Sequence, residues 1–391
     1  MVVVAAGGVA YYYLSTNNRS QPPTTPTSTS STSSQSSSIQ LKNPDTFIAA
    51  LSDQPTELDP AHSHTNYDYP VFLNCMETLV TYDFPHNDLS TIVPLLAEEV
   101  PTVANGGISS DGLHYTFKLR QGVKFHNGDP LTSDDVVYTF QRLATLAFPD
   151  GLGWIVLQPL TGMSTDATVI QNSVVAVDAY TVEFNLANTD PAFLRKLAPN
   201  SVGAYIMDKK WVVDNGGWYP GAPGSWTAKV NQYVHTHVMG TGPYQFVEWV
   251  ADESVSMKAN PNYWGTPASI PNIIHQDVPD QSTRIASLKV GDADYADVAV
   301  TQLDTIKGLP GVTYISGSLQ LNSYGIAMNQ NIKMSAQPTT THGITADWFT
   351  DINLRKAFAY AMDVDTLNHA AYNGLARRLN TYMPQGIPGW D

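Results

Sequence analysis

Residues 112–142 read GLHYTFKLRQGVKFHNGDPLTSDDVVYTFQR, and their pattern decides the fold class. Leu113–Leu119 alternates apolar and polar side chains, the period of a strand with one buried face. Val123–His126 reads as a second strand that runs into Asn127-Gly128, a dipeptide that tolerates positive φ in a tight turn. Thr132-Ser-Asp-Asp135 has the form of a capping box, and Val136–Arg142 continues as a helix.

Outward from this unit, strands and helices are interspersed without a repeat. Thr46–Leu51 is a short apolar run ended by Ser-Asp-Gln-Pro and reads as a buried strand. Glu57-Leu-Asp-Pro60 follows as a turn, then a polar-aromatic loop over 61–69 and a helix over 70–80. Val174–Leu186 reads as two strands around Asp178-Ala179, and Val247–Met257 as another pair around Ala251-Asp-Glu253. Arg284–Val290 is helical and stopped by Gly291, Tyr295–Val298 returns as a strand, and Asn353–Asp363 is an amphipathic helix. The expected class is mixed α/β.

Composition narrows the function. The chain has 391 residues and a formal charge of −15, a balance that repels nucleic acid, and no basic stripe offsets it. Its single cysteine, Cys75, excludes an intrachain disulfide and reads as a small buried apolar residue. No nucleophile elbow, zinc-protease motif, Walker loop or dinucleotide fingerprint is present, so neither an enzyme nor a cofactor is expected; the rival from another class is a secreted hydrolase, whose two carboxylates need no motif. His235-Thr-His237 offers two imidazoles on an expected strand but no third ligand, so no metal is expected. Thr241-Gly-Pro-Tyr244 lacks the lysine of a phosphate loop and reads as a structural turn. Asp292 and Asp294 read as solvating the turn after the helix.

The N-terminus points outside the cytoplasm. Met1–Leu14 carries no charged side chain and reads as part of a hydrophobic anchor, its three tyrosines suited to a membrane–water boundary. Of residues 15–38, 19 of 24 are Ser, Thr or Pro, a composition that stays extended and serves as a stalk.

Five blocks in order carry a resemblance. They are Leu58-Asp-Pro60, Gly112–Arg142, Gly240–Tyr244 leading to Asn260–Trp264, Arg284–Asp294, and Asp351–Asp363. Together they resemble the oligopeptide/dipeptide-binding family of extracellular solute-binding proteins (family 5, cluster C). The resemblance implies a two-lobed periplasmic-binding-protein-like fold of type II with an extra subdomain in lobe 1. Lobe 1 would comprise 39–79 and 195–276, the extra subdomain 80–194, and the first part of lobe 2 277–391. In the family lobe 2 continues further, so the expectation is a C-terminally incomplete fold.

The same resemblance implies a monomeric receptor that takes a solute between its lobes and hands it to the permease and ATPase subunits of an ABC importer. It places His64, Asn66 and Tyr67 on a cleft loop, Trp154 on an aromatic wall, and Asp297 and Val298 at a strand end facing the ligand. Tyr324, Gly325 and Ala327 fall on a further cleft strand. The small Gly325 and Ala327 would widen the pocket, which keeps an oligosaccharide open beside an oligopeptide or dipeptide. Amide and phenol side chains suit carbonyls, amides and hydroxyls in either solute.

Overall fold

The computed structural model describes residues 2–4, 42–84, 88–199, 202–218, 231–314, 325–332 and 345–379. The first part of the chain runs β1 (Val2–Val4), β2 (Thr46–Leu51), α1 (Tyr69–Cys75), β3 (Val80–Asp83), β4 (Asp88–Pro94), β5 (His114–Lys118), α2 (Ser133–Leu146), α3 (Trp154–Thr161), α4 (Ala167–Ser173), β6 (Val174–Asp178) and β7 (Thr181–Asn185). After these come α5 (Phe193–Lys196), α6 (Lys209–Asp214), α7 (Gln232–Thr236), β8 (Tyr244–Val250), β9 (Ser254–Ala259), β10 (Asn272–Asp277), α8 (Gln281–Val290), β11 (Tyr295–Ala296), β12 (Val312–Tyr314), α9 (Ile352–Ala361) and α10 (Val364–Tyr372).

A five-stranded sheet in the order β11-β2-β10-β9-β8 organises the part that carries the site. β2 lies parallel to both β10 and β11, while β10, β9 and β8 run antiparallel. β2 is uncharged because both of its faces are covered, as a central parallel strand requires. Ile48 and Ala50 pack with Ile285, Leu288, Leu303 and Ile306, whereas Ala49 and Leu51 pack with Tyr295 on the opposite face. β11 joins this sheet beside β2, and Ile285 and Leu288 of α8 pack on it.

A three-stranded antiparallel sheet, β5-β7-β6, carries the pattern that opened the sequence reading. Tyr115 pairs with Phe184 and Phe117 with Val182, and these four side chains are buried. Helix α2 lies against them, with Phe140 edge-on to Phe184 at 4.9 Å between ring centres. Each such buried side chain contributes roughly 1.5–3 kcal/mol. The capping box is present: the Asp135 carboxylate accepts from the backbone N–H of Thr132 at 2.9 Å and from its hydroxyl at 3.1 Å.

Two element assignments need correction. Val123–His126 is not a strand but one side of a tight turn, held by a single bridge between Lys124 and Pro130 around Gly128 at φ +95°. Helix α1 ends at Cys75, well before Val80. There the chain turns extended to bring Val80 opposite Pro94, and the β-branched pair Val80-Thr81 favours β3.

At the N-terminus, β1 lies parallel to β12. The stalk at 15–38 and the rest of the expected anchor lie outside the described residues. Among the described residues no helix is long and apolar enough to cross a membrane.

Candidate functional site

The loop between β2 and α1 sinks Leu58 and Ala61 into the core, and its polar remainder is fixed by three carboxylates turned inward. Asp68 accepts from the backbone N–H groups of Thr56 (2.9 Å) and Thr65 (3.1 Å) and from the Ser63 hydroxyl (2.7 Å). Asp59 is fully buried and forms a two-pronged ion pair with Arg142 of α2, with Nη1 to Oδ1 at 2.8 Å. Burial alone would raise the Asp59 carboxyl, but the guanidinium outweighs it and holds the group below its ordinary range.

Glu57 accepts from the Asp59 backbone N–H at 2.7 Å and from two imidazoles on one oxygen, His62 Nδ1 at 2.7 Å and His235 Nδ1 at 2.6 Å. Burial, then the neighbouring Asp59 charge, push its carboxyl upward. The other ring nitrogen of His62 faces Asp150 at 3.2 Å, and its ring packs on Phe148 at 4.4 Å. Burial lowers the His62 pKa, but the two carboxylates outweigh it and the net shift is upward. Thus the loop is joined to the segment that leads into α3. Gly151 allows the join, because a Cβ there would sit 2.9 Å from the Ala61 carbonyl oxygen.

Upon this frame the expected site residues fall as follows. His64 and Asn66 are exposed, and Tyr67 is half-buried with its hydroxyl 2.8 Å from Ser52 Oγ. Trp154 opens α3 with 52% of its surface exposed. It lines a small cleft of about 160 Å³ together with Ala61, Leu143, Phe148, Leu157 and Met163. The structure thus brings Trp154 beside the start of the loop.

Asp297 joins the same neighbourhood through Ser52, whose Oγ donates to Asp297 Oδ2 at 3.1 Å. Val298 is only 3% exposed and packs in the second hydrophobic cluster with Ile48 and Leu303, so its side chain faces the core. Gly325 and Ala327 are exposed in an irregular segment, and nothing lies within 4 Å of a Cβ built on Gly325. Tyr324 lies outside the described residues.

Other candidates resolve into structural roles. His235 and His237 sit in and after helix α7 rather than on a strand. His235 faces Glu57, while His237 stacks on Tyr233 at 4.1 Å. No cluster able to hold a metal occurs among the described residues. Gly240 and Gly242 pack against the end of α1, where a Cβ would lie 2.1 Å and 2.6 Å from backbone carbonyl oxygens. Cys75 is buried, and burial pushes its thiol up. Asp294 accepts from the Ile48 N–H at 2.9 Å and ties the sheet edge instead of solvating a turn.

Sequence reasoning missed Ser52, Glu57, His62 and Arg142. The last lies 83 residues from its partner Asp59, and no local spacing marks the pair.

The class is a mixed α/β fold of the two-lobed type II kind, and its polar and aromatic β2–α1 loop is fixed by buried carboxylates. A family model described as bacterial extracellular solute-binding proteins, family 5 middle, matches residues 91–391, and the chain belongs to that family. It is 28% identical over 305 residues to heme-binding protein A of Haemophilus influenzae, covering 76% of this chain and 49% of that protein. Against the dipeptide-binding protein of Escherichia coli it is 26% identical over 318 residues, covering 77% and 51%. The chain therefore spans about half the length of the curated relatives it matches. Among solved structures, the periplasmic binding protein DppA of Helicobacter pylori in complex with the peptide STSA superposes with a TM-score of 0.67 at 23% identity, covering 88% and 62%. That likeness concerns the fold.

Proposed function

We propose that the protein is the extracytoplasmic solute receptor of an ABC importer, with an oligopeptide or dipeptide as its solute. The observation that carries the reading is the loop 57–68: its polar backbone is pinned by buried Asp59, Asp68 and Glu57, while His64, Asn66 and the aromatic face of Trp154 are left to solvent. A pre-ordered loop beside an exposed indole loses little conformational freedom on binding, which is what a receptor needs. The names of the peptide-binding relatives favour a peptide.

In this reading the chain divides into lobe 1 (39–79 and 195–276), an extra subdomain (80–194) and the first part of lobe 2 (277–391). It works as a monomer, carries out no covalent chemistry, and is held outside the cell by its N-terminal anchor and stalk. The open surroundings of Gly325 favour a second reading, an oligosaccharide in a wider pocket.

Calorimetric titration of the full-length protein with a peptide mixture and, separately, a β-glucan oligosaccharide mixture tests both. Heat from the peptides alone, with every peptide recovered intact by mass spectrometry, is the expected result. Heat from the sugars alone selects the second reading. Turnover of either mixture overturns the receptor.

A further inference from the structure

Tyr67, Ser52, Asp297 and Tyr295 form one hydrogen-bonded chain at the edge of the five-stranded sheet. Asp297 Oδ2 lies 3.3 Å from the Ser52 backbone nitrogen and 3.1 Å from Ser52 Oγ, and Oδ1 lies 2.9 Å from the Tyr295 hydroxyl. Ser52 Oγ lies 2.8 Å from the Tyr67 hydroxyl. All of these groups are partly buried.

We propose that this chain fixes the direction of its hydroxyl protons, so that Tyr67 meets a solute as a hydrogen-bond acceptor only. Ser52 is then a positioning residue that selects solutes presenting an N–H or O–H donor at that point. The inference rests on the receptor reading above, in which the loop 64–67 lines the binding cleft.

The proton count leads there. A carboxylate only accepts, so each oxygen facing Asp297 must bring a proton. Ser52 has one hydroxyl proton, and it goes to Asp297. Were it turned to Tyr67 instead, lone pairs of Ser52 and Asp297 would face each other at 3.1 Å in a partly buried site, which costs more than it gains. With that proton committed, Ser52 offers Tyr67 only a lone pair, and Tyr67 must donate to it. The phenol oxygen keeps its own lone pairs and has no proton left for a solute.

His64 points the same way. Its Nδ1 lies 3.2 Å from the His62 carbonyl oxygen, so Nδ1 carries a proton there, and whenever the ring holds only that proton Nε2 is an acceptor. Two side chains of one loop therefore offer acceptors. A peptide N–H or an ammonium group fits them, and a carboxylate or carbonyl oxygen meets lone pairs.

The test has one arm without solute and one with it, both on the full-length protein. Ring-labelled tyrosine gives an infrared C–O stretch for Tyr67, assigned as the band lost in Tyr67→Phe. The band should fall where a donating phenol absorbs, move in Ser52→Ala, and stay in place in Ser52→Thr, which keeps the hydroxyl. In the second arm tri-alanine is compared with analogues whose amides are replaced one at a time by esters, which removes an N–H with little change of shape. One replacement should raise Kd about tenfold in the parent, and by no more than about twofold in Ser52→Ala, where the freed phenol can turn and donate. An acceptor-type Tyr67 band, or equal ester penalties in parent and Ser52→Ala, overturns the proposal. A donor-type band with no tri-alanine bound counts against the receptor reading and leaves the proton direction standing.

Discussion

Glu77 has more partners than any exposed candidate, and it illustrates how much of this protein is decided by single buried groups. Its carboxylate accepts from the Thr241 hydroxyl (2.7 Å), the Tyr263 hydroxyl (2.7 Å) and the Trp264 indole N–H (2.8 Å), gathering two distant segments at the end of α1. Burial pushes its pKa up to about 7 against those hydrogen bonds. A carboxyl raised from 4.5 binds its proton more tightly folded than unfolded, so its stabilising contribution is present below pH 4.5 and is lost as the pH rises through about 7. The full effect is roughly 3 kcal/mol. Glu77→Gln removes the titration, and urea melts between pH 5 and 8 should show a flatter slope for the variant. Parallel slopes would contradict the assignment.

His275 works in the opposite sense. It is buried in β10 with Nδ1 unpartnered, and burial pushes its pKa down to about 4. Stability from keeping it neutral is present above 6.5 and is lost as the pH falls toward 4, again roughly 3 kcal/mol. His275→Leu should lose less stability than the parent between pH 6.5 and 4, as read from melts across that range. Neither shift was legible in the sequence, because burial of one polar side chain in a strand depends on what covers the sheet.

At the scale of elements, local rules went far. The capping box of α2, the β6–β7 turn, the β8–β9 pair and the Gly291 stop of α8 were all readable from a few neighbouring residues. Errors arose where distant chain decides the outcome. Helix α1 stops early because β3 must reach β4, and the run after Val123 remains a turn because β5 pairs with β7 instead. The turn at Gly240 was read as structural, but its reason lies in the packing: the glycine backbone passes against Cys75, where a side chain has no room. Gly240→Ala must displace backbone and should cost at least about 2 kcal/mol, the range for overpacked cores. Thermal denaturation checks this, and an unchanged midpoint would show that the turn yields freely.

For the whole molecule, the two-lobed class was legible because five sequence blocks in order point to one family. Of the candidate site residues, His64, Asn66, Tyr67 and Trp154 stand on connected segments, whereas Val298 faces the core. Side-chain direction at the end of a strand as short as β11 has no periodicity to announce it. Helices α9 and α10 contain no buried residue, and Phe358, Tyr360 and Leu367 are exposed on them. Exposed apolar surface of this kind binds hydrophobic dyes and promotes association. Phe358→Lys with Leu367→Lys should lower dye fluorescence and the sedimenting aggregate of this chain, and no change in either would show that these faces are not what associates.

The receptor reading is tested most directly at Trp154. Its side chain lies on the open cleft, so Trp154→Ala in the full-length protein removes a solute contact without removing core. The account predicts a Kd for the bound peptide about tenfold to a hundredfold higher by calorimetry, as for an anchoring aromatic. The melting temperature without solute should stay within a degree or two of the parent. Unchanged affinity with a sharply lowered solute-free melting temperature would make Trp154 a packing residue and contradict the account.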